Sequence, residues 1–330
     1  ILKKYFYCDT GETGYQDEQH YTDKAECDAA NEGNLCYQPG TQDYQYGNCR
    51  VDWSISCREW EELTVDVMID KGFASFDDNG DLVKIEMKRK GLQGRIPDEI
   101  GYAEKIKVLD FTTNGYQWGG VFGGPIPTTI GNLTDLEEFL GLGNSWVGEI
   151  PTSMFPIFDI NATAFVGGLQ KLRILDLQGI LSGASDEQAS RKLTGNIPEN
   201  IGHLSSLQHL ALQRNELSGV IPDSMGEFYR PMTYFQIGTN KLQGIIPDSI
   251  CDLIANSNFS GDEINHPYFS NNELCPREMQ PRCVTDAMLG TQDSNLEMCD
   301  SDSLFFSNQT SQQKPKTIFE MSQIMKNKNI

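Results

Sequence analysis

Three features are scarce in this 330-residue chain, and each scarcity excludes a class of protein. Positive charge is scarce, since 26 Lys and Arg face 47 Asp and Glu for a net charge of −21. Nucleic-acid recognition needs clustered cations, so this balance argues against a nucleic-acid partner. Long apolar runs are also missing, because no stretch approaches the roughly 20 apolar residues of a membrane helix. Cysteine is absent from a long central region, between Cys57 and Cys251.

Residues arranged for catalysis are missing as well. The four histidines are dispersed, and the sequence has no nucleophile elbow, phosphate loop, CxxC pair or zinc-spaced cluster. The segment Ser75–Glu86 resembles a calcium loop, but Ser75 occupies the first ligand position, where an aspartate is usual. A glycine-containing turn that leads into a strand is the favoured interpretation. We therefore predict a non-enzymatic protein with no cofactor and no metal site.

The nine cysteines lie at the two ends of the chain. Five come first and four last: Cys8, Cys27, Cys36, Cys49, Cys57, then Cys251, Cys275, Cys283, Cys299. Disulfide-braced ends are typical of a repeat solenoid, whose end units have one face without a neighbour. Four N-glycosylation sequons begin at Asn132, Asn161, Asn258 and Asn308. Cysteines and sequons together favour the secretory pathway and an extracellular or cell-surface location.

The dipeptide Ile-Pro recurs along the cysteine-free region. Its isoleucines are Ile96, Ile126, Ile150, Ile197, Ile221 and Ile246, with gaps of 30, 24, 47, 24 and 25 residues. A unit of 24 residues explains these gaps if two of them carry insertions. The cleanest copy places leucines at 204, 207, 210, 212 and 217, with Asn215, Gly219 and Ile221-Pro222 at fixed offsets.

This pattern resembles the plant-type leucine-rich repeat, with its LxGxIPxxIG signature, as found in receptor-like kinase ectodomains and polygalacturonase-inhibiting proteins. The resemblance implies an α/β solenoid of about seven 24-residue units with a parallel concave sheet and disulfide-braced caps. Four regions follow: an acidic, cysteine-containing segment of unknown fold (1–48), an N-terminal cap (49–81), the repeat solenoid (82–275), and a C-terminal cap and tail (276–330). In the cleanest copy, Leu210 and Leu212 are expected to point inward, and Asn215 is expected to satisfy backbone groups along the stack. Equivalent residues of the other units should do the same.

The resemblance also suggests how the caps are closed. Cys49 and Cys57 lie where the family places an N-terminal disulfide, and Cys275 and Cys283 are the expected pair of the C-terminal cap. Ser54 is expected to begin a helix that runs to about Asp70. An odd number of N-terminal cysteines leaves one of them free, paired with the C-terminal set, or paired with another chain.

Insertions interrupt the repeat at four places. Two follow a strand and are expected at one rim of the concave face: a loop with Tyr116 and Trp118 between glycines, and a polar loop over about 182–192. Two others, which contain Asn161 and Asn258, are expected on the convex side, where glycans would leave the concave face open. The rim loops are either binding elements or neutral insertions.

Strand alternation identifies the side chains that line the concave face. If Phe139 points inward, Leu140 and Leu142 form an apolar spot; a register slipped by one residue would bury both leucines instead. The remaining candidate ligand-binding residues are Asp176, Gln178, His209, Gln213, Arg214, Tyr234 and Gln236. Basic residues of the first two units, including Lys84 and Lys105, either attract an acidic polysaccharide or neutralise the acidic cap.

The predicted function is extracellular recognition of a protein, peptide or polysaccharide by the concave face and its rim loops. The alternative is a structural subunit of an extracellular or cell-surface assembly, joined to a partner by its caps or by an intermolecular disulfide. A covalent or high-order oligomer under non-reducing conditions would favour the assembly.

Overall fold

The computed structural model describes residues 6–8, 60–62, 65–90, 92, 94–114, 122–180, 191–257, 268–293 and 299, with side chains from Met68 onward. Its strands are β1 Phe6–Cys8, β2 Trp60–Glu62, β3 Ala74–Phe76, β4 Leu82–Glu86, β5 Gly94–Arg95, β6 Val108–Asp110, β7 Phe122–Gly124, β8 Glu138–Leu140, β9 Ser145–Trp146, β10 Ile157–Asp159, β11 Ala164–Val166, β12 Ile174–Asp176, β13 His209–Ala211, β14 Ser218–Val220, β15 Tyr234–Gln236, β16 Lys241–Gly244 and β17 Glu273–Leu274. The α-helices are α1 Val65–Asp70, α2 Ile250–Asn256 and α3 Asp286–Leu289.

One strand of each repeat unit joins the main sheet, in the order β15-β13-β12-β8-β6-β4-β3. The pairing is parallel from β4 to β15, and only β3 is antiparallel. In the five parallel strands of three residues the middle residue is buried, as in Leu109, Leu175 and Leu210, which are fully inaccessible to solvent. The prediction of a leucine-rich repeat solenoid with a parallel concave sheet is therefore confirmed.

The number of parallel strands differs from the prediction. Six of the seven predicted strands lie in the sheet, and its far edge is the antiparallel strand β3. The last predicted unit contains Tyr268 and Phe269, which do not form a strand of the sheet. They extend the stack because the Ile237 N–H donates to the carbonyl of Tyr268. Phe269 in turn donates to the carbonyl of Met288, so the C-terminal residues add a further turn to the coil.

Short turns on the convex side follow each Ile-Pro. Proline is the residue before four of these 3₁₀ helices: Asp98–Tyr102, Thr128–Asn132, Thr152–Met154 and Asp223–Glu227. Pro222, with φ −63° and ψ 138°, holds the extended conformation from which the helix begins. The isoleucines of the motif, such as Ile197 and Ile221, are buried within the stack.

Two lateral sheets, which the sequence analysis did not predict, lie between the concave strands and these turns. Their orders are β5-β7-β9 and β14-β16-β17. Every strand except β17 precedes an Ile-Pro, and β17 precedes Cys275-Pro276. The bridges Gly148–Leu193 and Asn196–Ser218 lie in sequence between the two groups. Gly219, with φ +72°, sits within β14, and this left-handed conformation explains the glycine of the LxGxIP pattern.

Asparagine side chains form a ladder through the interior. Asn215 Nδ2 donates to the carbonyls of Leu177 and Leu212, while its Oδ1 accepts the N–H of Leu193. Equivalent bonds are made by Asn114, Asn144, Asn240 and Asn272. The predicted role of Asn215 is confirmed.

The C-terminal cap contains two disulfides, but their connectivity differs from the expected one. Cys275 is bonded to Cys299 and Cys283 to Cys251, so the expected Cys275–Cys283 pair is wrong. Cys251 lies in α2, one repeat turn before Cys283, and the stacking of successive turns brings their Cα atoms to 5.5 Å. Each bond therefore joins neighbouring turns of the coil. The expected Cys49–Cys57 pair lies outside the described residues.

The expected helix from Ser54 to Asp70 is also wrong in part. Trp60–Glu62 is a strand, paired antiparallel with Phe6–Cys8, and the helix covers only Val65–Asp70. Pairing with a distant segment of the chain overrides the helical periodicity of this stretch. Ser54 itself lies outside the described residues.

Candidate functional site

The concave face carries three parallel rows of outward side chains, because the strands are in register. Asp110, Leu140, Asp176, Ala211 and Gln236 form the central row, with Phe139 buried beneath it. Leu140 and Leu142 are half-buried on the outside, so the register with Phe139 inward is the correct one. Each of the predicted outward positions Asp176, Gln178, His209, Gln213, Arg214, Tyr234 and Gln236 lies on this face or directly beside it.

Burial of this polar face exceeds what the sequence led us to expect. Gln213 is only 9% exposed and Gln236 only 6%. Ala211, at the end of β13 two residues before Gln213 and paired with Gln236 of β15, is 1% exposed. Because the side chain of Ala211 is short, the longer side chains near it can pack over this position. In the sequence, the small residue Ala211 at an outward position is the only indication of this burial.

A hydrogen-bonded chain connects the outer two rows. Gln213 Nε2 donates to Gln178 Oε1 at 2.6 Å and lies 3.2 Å from the Tyr234 hydroxyl. The Tyr234 ring stacks on His209, with 4.4 Å between centroids and 14° between planes. This network orders four side chains from three strands. Yet Gln213 Oε1 and Gln236 Nε2 are buried and have no hydrogen-bond partner within the part of the chain that the structure describes.

Two carboxylates flank Leu140 in the central row. Asp110 accepts the backbone N–H of Thr112 at 2.9 Å, and Asp176 accepts that of Gln178 at 3.1 Å. Burial, opposed by the Gln178 N–H and assisted by the nearby Asp110 charge, raises the pKa of Asp176 to about 6. Burial also lowers the pKa of His209, which favours its neutral form.

The raised pKa of Asp176 makes a prediction about stability. A carboxyl whose pKa is higher in the folded protein stabilises the fold below its unfolded pKa, and this contribution is lost as the pH rises through about 6. Asp176→Asn should therefore raise the free energy of unfolding by about 1–2 kcal/mol at pH 7.5 and leave it nearly unchanged at pH 4. Denaturant unfolding at the two pH values measures this. A loss of stability at pH 7.5 would contradict it.

The other sequence-predicted residues are distributed around this face. Lys84 pairs with Glu86 at 2.8 Å, and Lys105 with Asp135 at 3.4 Å, so both cations have acidic neighbours within the solenoid. Asn132 is exposed at the end of a convex 3₁₀ helix, and Asn161 follows β10 in an antiparallel hairpin with β11. Tyr116, Trp118, Asn258 and Asn308 lie outside the described residues.

The calcium-like segment is a turn stabilised by its own aspartate. The Asp77 carboxylate accepts the backbone N–H groups of Asn79 and Asp81, each at 2.9 Å. These bonds lower the pKa of Asp77, partly offset by desolvation. Within the described ranges, no group of three or more His, Cys, Asp or Glu is placed to hold a metal ion. Among those residues there is also no helix with the length and apolarity needed to cross a bilayer.

Comparisons with known proteins agree with the repeat pattern. A family model described as Leucine Rich Repeat matches residues 206–228. Phytosulfokine receptor 1 of Arabidopsis thaliana is 25% identical over 177 residues, which is 52% of this chain and 16% of that receptor. Adenylate cyclase of Podospora anserina is 26% identical over 127 residues, 38% of this chain and 6% of that enzyme. The chain thus spans less than a fifth of these relatives.

Among solved structures, the plant peptide hormone receptor RGFR1 in complex with RGF2 is similar at 28% identity and a TM-score of 0.39. That similarity covers 55% of this chain and 23% of the receptor chain. The 24-residue period, the in-register parallel strands and the asparagine ladder agree with the family match at 206–228. The repeat region of this chain therefore forms a leucine-rich repeat solenoid, and its sequence is similar to that of a plant receptor.

Proposed function

We propose that this chain is an extracellular, non-enzymatic recognition module that binds a protein or peptide ligand on its concave face. The observation that supports this most directly is the set of buried, unsatisfied amide atoms on Gln213 and Gln236. A buried polar atom without a partner costs about 1–3 kcal/mol, which a ligand that pairs with it can recover. Half-buried Leu140 and Leu142, two strands from Gln213 on the same face, supply apolar contact.

A protein or peptide fits this face better than a polysaccharide does. Sugar recognition commonly uses exposed aromatic faces, but His209 and Tyr234 cover one face of each other's rings. The mixture of leucine side chains, carboxylates and amides instead suits a polypeptide, which offers backbone donors and acceptors together with apolar side chains. The rim loops with Tyr116 and Trp118 stay candidates for additional contacts.

The extracellular location is supported by features away from the concave face. The two disulfides of the C-terminal cap favour an oxidising compartment. Asn132 and Asn161 lie on or near the convex turns, so glycans at these predicted sites would leave the concave sheet accessible. The alternative, a structural subunit of an assembly, is tested by measuring the mass of the protein under non-reducing conditions. A covalent or high-order oligomer would favour it.

A blocking substitution tests the proposed binding face. A random peptide display library is selected against the full chain, and binding of the selected peptides is measured to the protein and to two variants. Gln178→Trp adds bulk at a half-buried concave position and should weaken binding at least tenfold, since it obstructs the central row. Glu99→Trp, on an exposed convex turn, is the matched control and should have no effect. Failure to select any peptide that Gln178→Trp blocks would contradict the proposal.

A further inference from the structure

We infer that the concave face binds a basic side chain of its peptide ligand, an arginine guanidinium held between the carboxylates of Asp110 and Asp176. This inference rests on the proposed function, and it specifies the chemistry of the ligand. It is supported by the placement of the two carboxylates, by the absence of a cationic partner for either among the described residues, and by the unsatisfied amides on the next two strands.

The two aspartates are placed two strands apart, on either side of Leu140. In-register pairing of β6, β8 and β12 puts all three residues in one row. Adjacent strands are about 4.8 Å apart, so the two aspartate Cα atoms are separated by about 10 Å. A planar guanidinium with a hydrogen bond of about 2.8 Å on each side fits between two such side chains. Leu140 would lie beneath the guanidinium plane and its aliphatic stem.

Neither carboxylate has a cationic partner among the residues that the structure describes, although other carboxylates on this side of the solenoid do. Glu86 pairs with Lys84, and Glu138 pairs with Arg173 at 2.8 Å. Asp110, by contrast, is 9% exposed and has a single local hydrogen bond, to Thr112. Asp176 likewise has only its bond to Gln178. Burial of a carboxylate without a cation is unfavourable, and a ligand cation would remove that penalty.

The unsatisfied amides give a second, independent indication of a ligand. Gln213 follows β13, the strand next to that of Asp176, and its Nε2 contacts Gln178 and Tyr234. Its Oε1, in a side chain more than nine-tenths buried, is an acceptor without a donor among the described residues. The two carboxylates match N–H donors of a guanidinium above Leu140, while this oxygen, on the next strand beyond Asp176, would accept a further N–H of the same peptide. The unsatisfied Gln236 Nε2 would donate to a ligand carbonyl.

Lysine would bind this site less well than arginine. An ammonium is a compact charge that can contact one carboxylate closely, whereas a guanidinium can bridge two acceptors at a fixed angle. The structure therefore predicts that a peptide with arginine at this position binds most tightly, that its lysine variant binds more weakly, and that its citrulline variant loses this interaction. Citrulline has nearly the shape of arginine without its charge.

Binding of a cation should also respond to pH. The titratable or charged groups around Asp176 are Asp110 on β6, Glu138 on β8, His209 and Arg214 on or after β13, and Tyr234 on β15. Because burial raises the pKa of Asp176 to about 6, a cation bound below that pH must displace a proton. Affinity should rise between pH 5 and pH 7.

The experiment measures binding of peptides selected from the display library to the full chain by calorimetry. We expect an enriched arginine whose replacement by citrulline weakens binding about tenfold or more. Asp176→Asn and Asp110→Asn should weaken binding of the arginine peptide similarly but leave the citrulline peptide unchanged. Asp98→Asn, at an exposed convex position, is the matched charge control.

The outcomes separate this inference from the proposed function. Peptides that Gln178→Trp blocks, but that lack a basic residue and bind Asp176→Asn normally, would overturn the basic-ligand inference and leave concave-face recognition intact. Failure to obtain any peptide that Gln178→Trp blocks would overturn both. Asp176→Asn should fold, since it removes a buried charge, so loss of binding in this variant cannot be attributed to unfolding; its thermal unfolding curve is recorded alongside.

Discussion

Gly202→Ala should lower the free energy of unfolding by about 4 kcal/mol. Gly202 is the glycine that ends the IPxxIG pattern, and it packs against the backbone of the next turn. A Cβ added to it would overlap the carbonyl oxygen of Ser224. Because Ser224 is held in place by its own hydrogen bond to the Glu199 carbonyl, the turn cannot move aside without breaking that contact. Denaturant unfolding of the purified variant measures the loss.

Two other glycine variants show whether the close approach causes this loss. Gly148→Ala is the control: its Cβ would meet nothing within 4 Å, but its φ of +76° disfavours a side chain, so about 1 kcal/mol is expected. Gly101→Ala should fall between them, because its Cβ would lie 2.7 Å from Thr129 Cβ and 2.8 Å from the Thr129 carbonyl oxygen. Because Gly202 has no positive φ, a loss there no larger than at Gly148 would show that the turn containing Ser224 moves aside and that the close approach contributes little.

The sequence predicts the repeat architecture well because each unit places the same residue types at the same positions of the stack. Leu210 and Asn215 have equivalents in other turns, so their roles could be derived from one copy and transferred. The disulfides could not be derived in this way. Cys251, Cys275 and Cys283 occur once each, and their pairing depends on how the last turns stack in three dimensions.

The outward placement of the concave residues was predicted, but their burial was not. Strand alternation places Asp176, Gln213 and Gln236 on the outer face, and the structure agrees. It does not reveal that Gln213 and Gln236 become buried, because that depends on the small neighbour Ala211 and on a contact to Tyr234 from the next strand. Such diagonal contacts between turns have no fixed spacing in the sequence. The lateral sheets were missed for a similar reason, since two- to four-residue strands carry too little periodicity to recognise.

Asn240→Ala should lower the free energy of unfolding by about 3 kcal/mol, since it removes one rung of the asparagine ladder. Asn240 is 8% exposed, and its amide donates to the carbonyls of Leu212 and Ile237 at 3.0 Å each. Its Oδ1 accepts the N–H of Leu217 at 3.1 Å. Alanine would leave three buried backbone groups in two adjacent turns without this partner. Chemical denaturation followed by circular dichroism measures the change, with Asn256→Ala, an exposed position at the end of α2, as the control.

Asn240→Asp distinguishes the lost donor from the lost acceptor. Aspartate keeps an oxygen for the Leu217 N–H but places a carboxylate against the two carbonyl oxygens that now receive N–H bonds. Repulsion should raise the pKa of this new carboxyl in the folded state, so Asn240→Asp should be least stable at neutral pH and regain stability as the pH falls. Asn240→Ala has no titrating group at this position, and its deficit should stay constant over the same range. If Asn240→Asp were as stable as the unsubstituted protein at pH 7.5, the two N–H bonds that Asn240 donates would contribute nothing to stability.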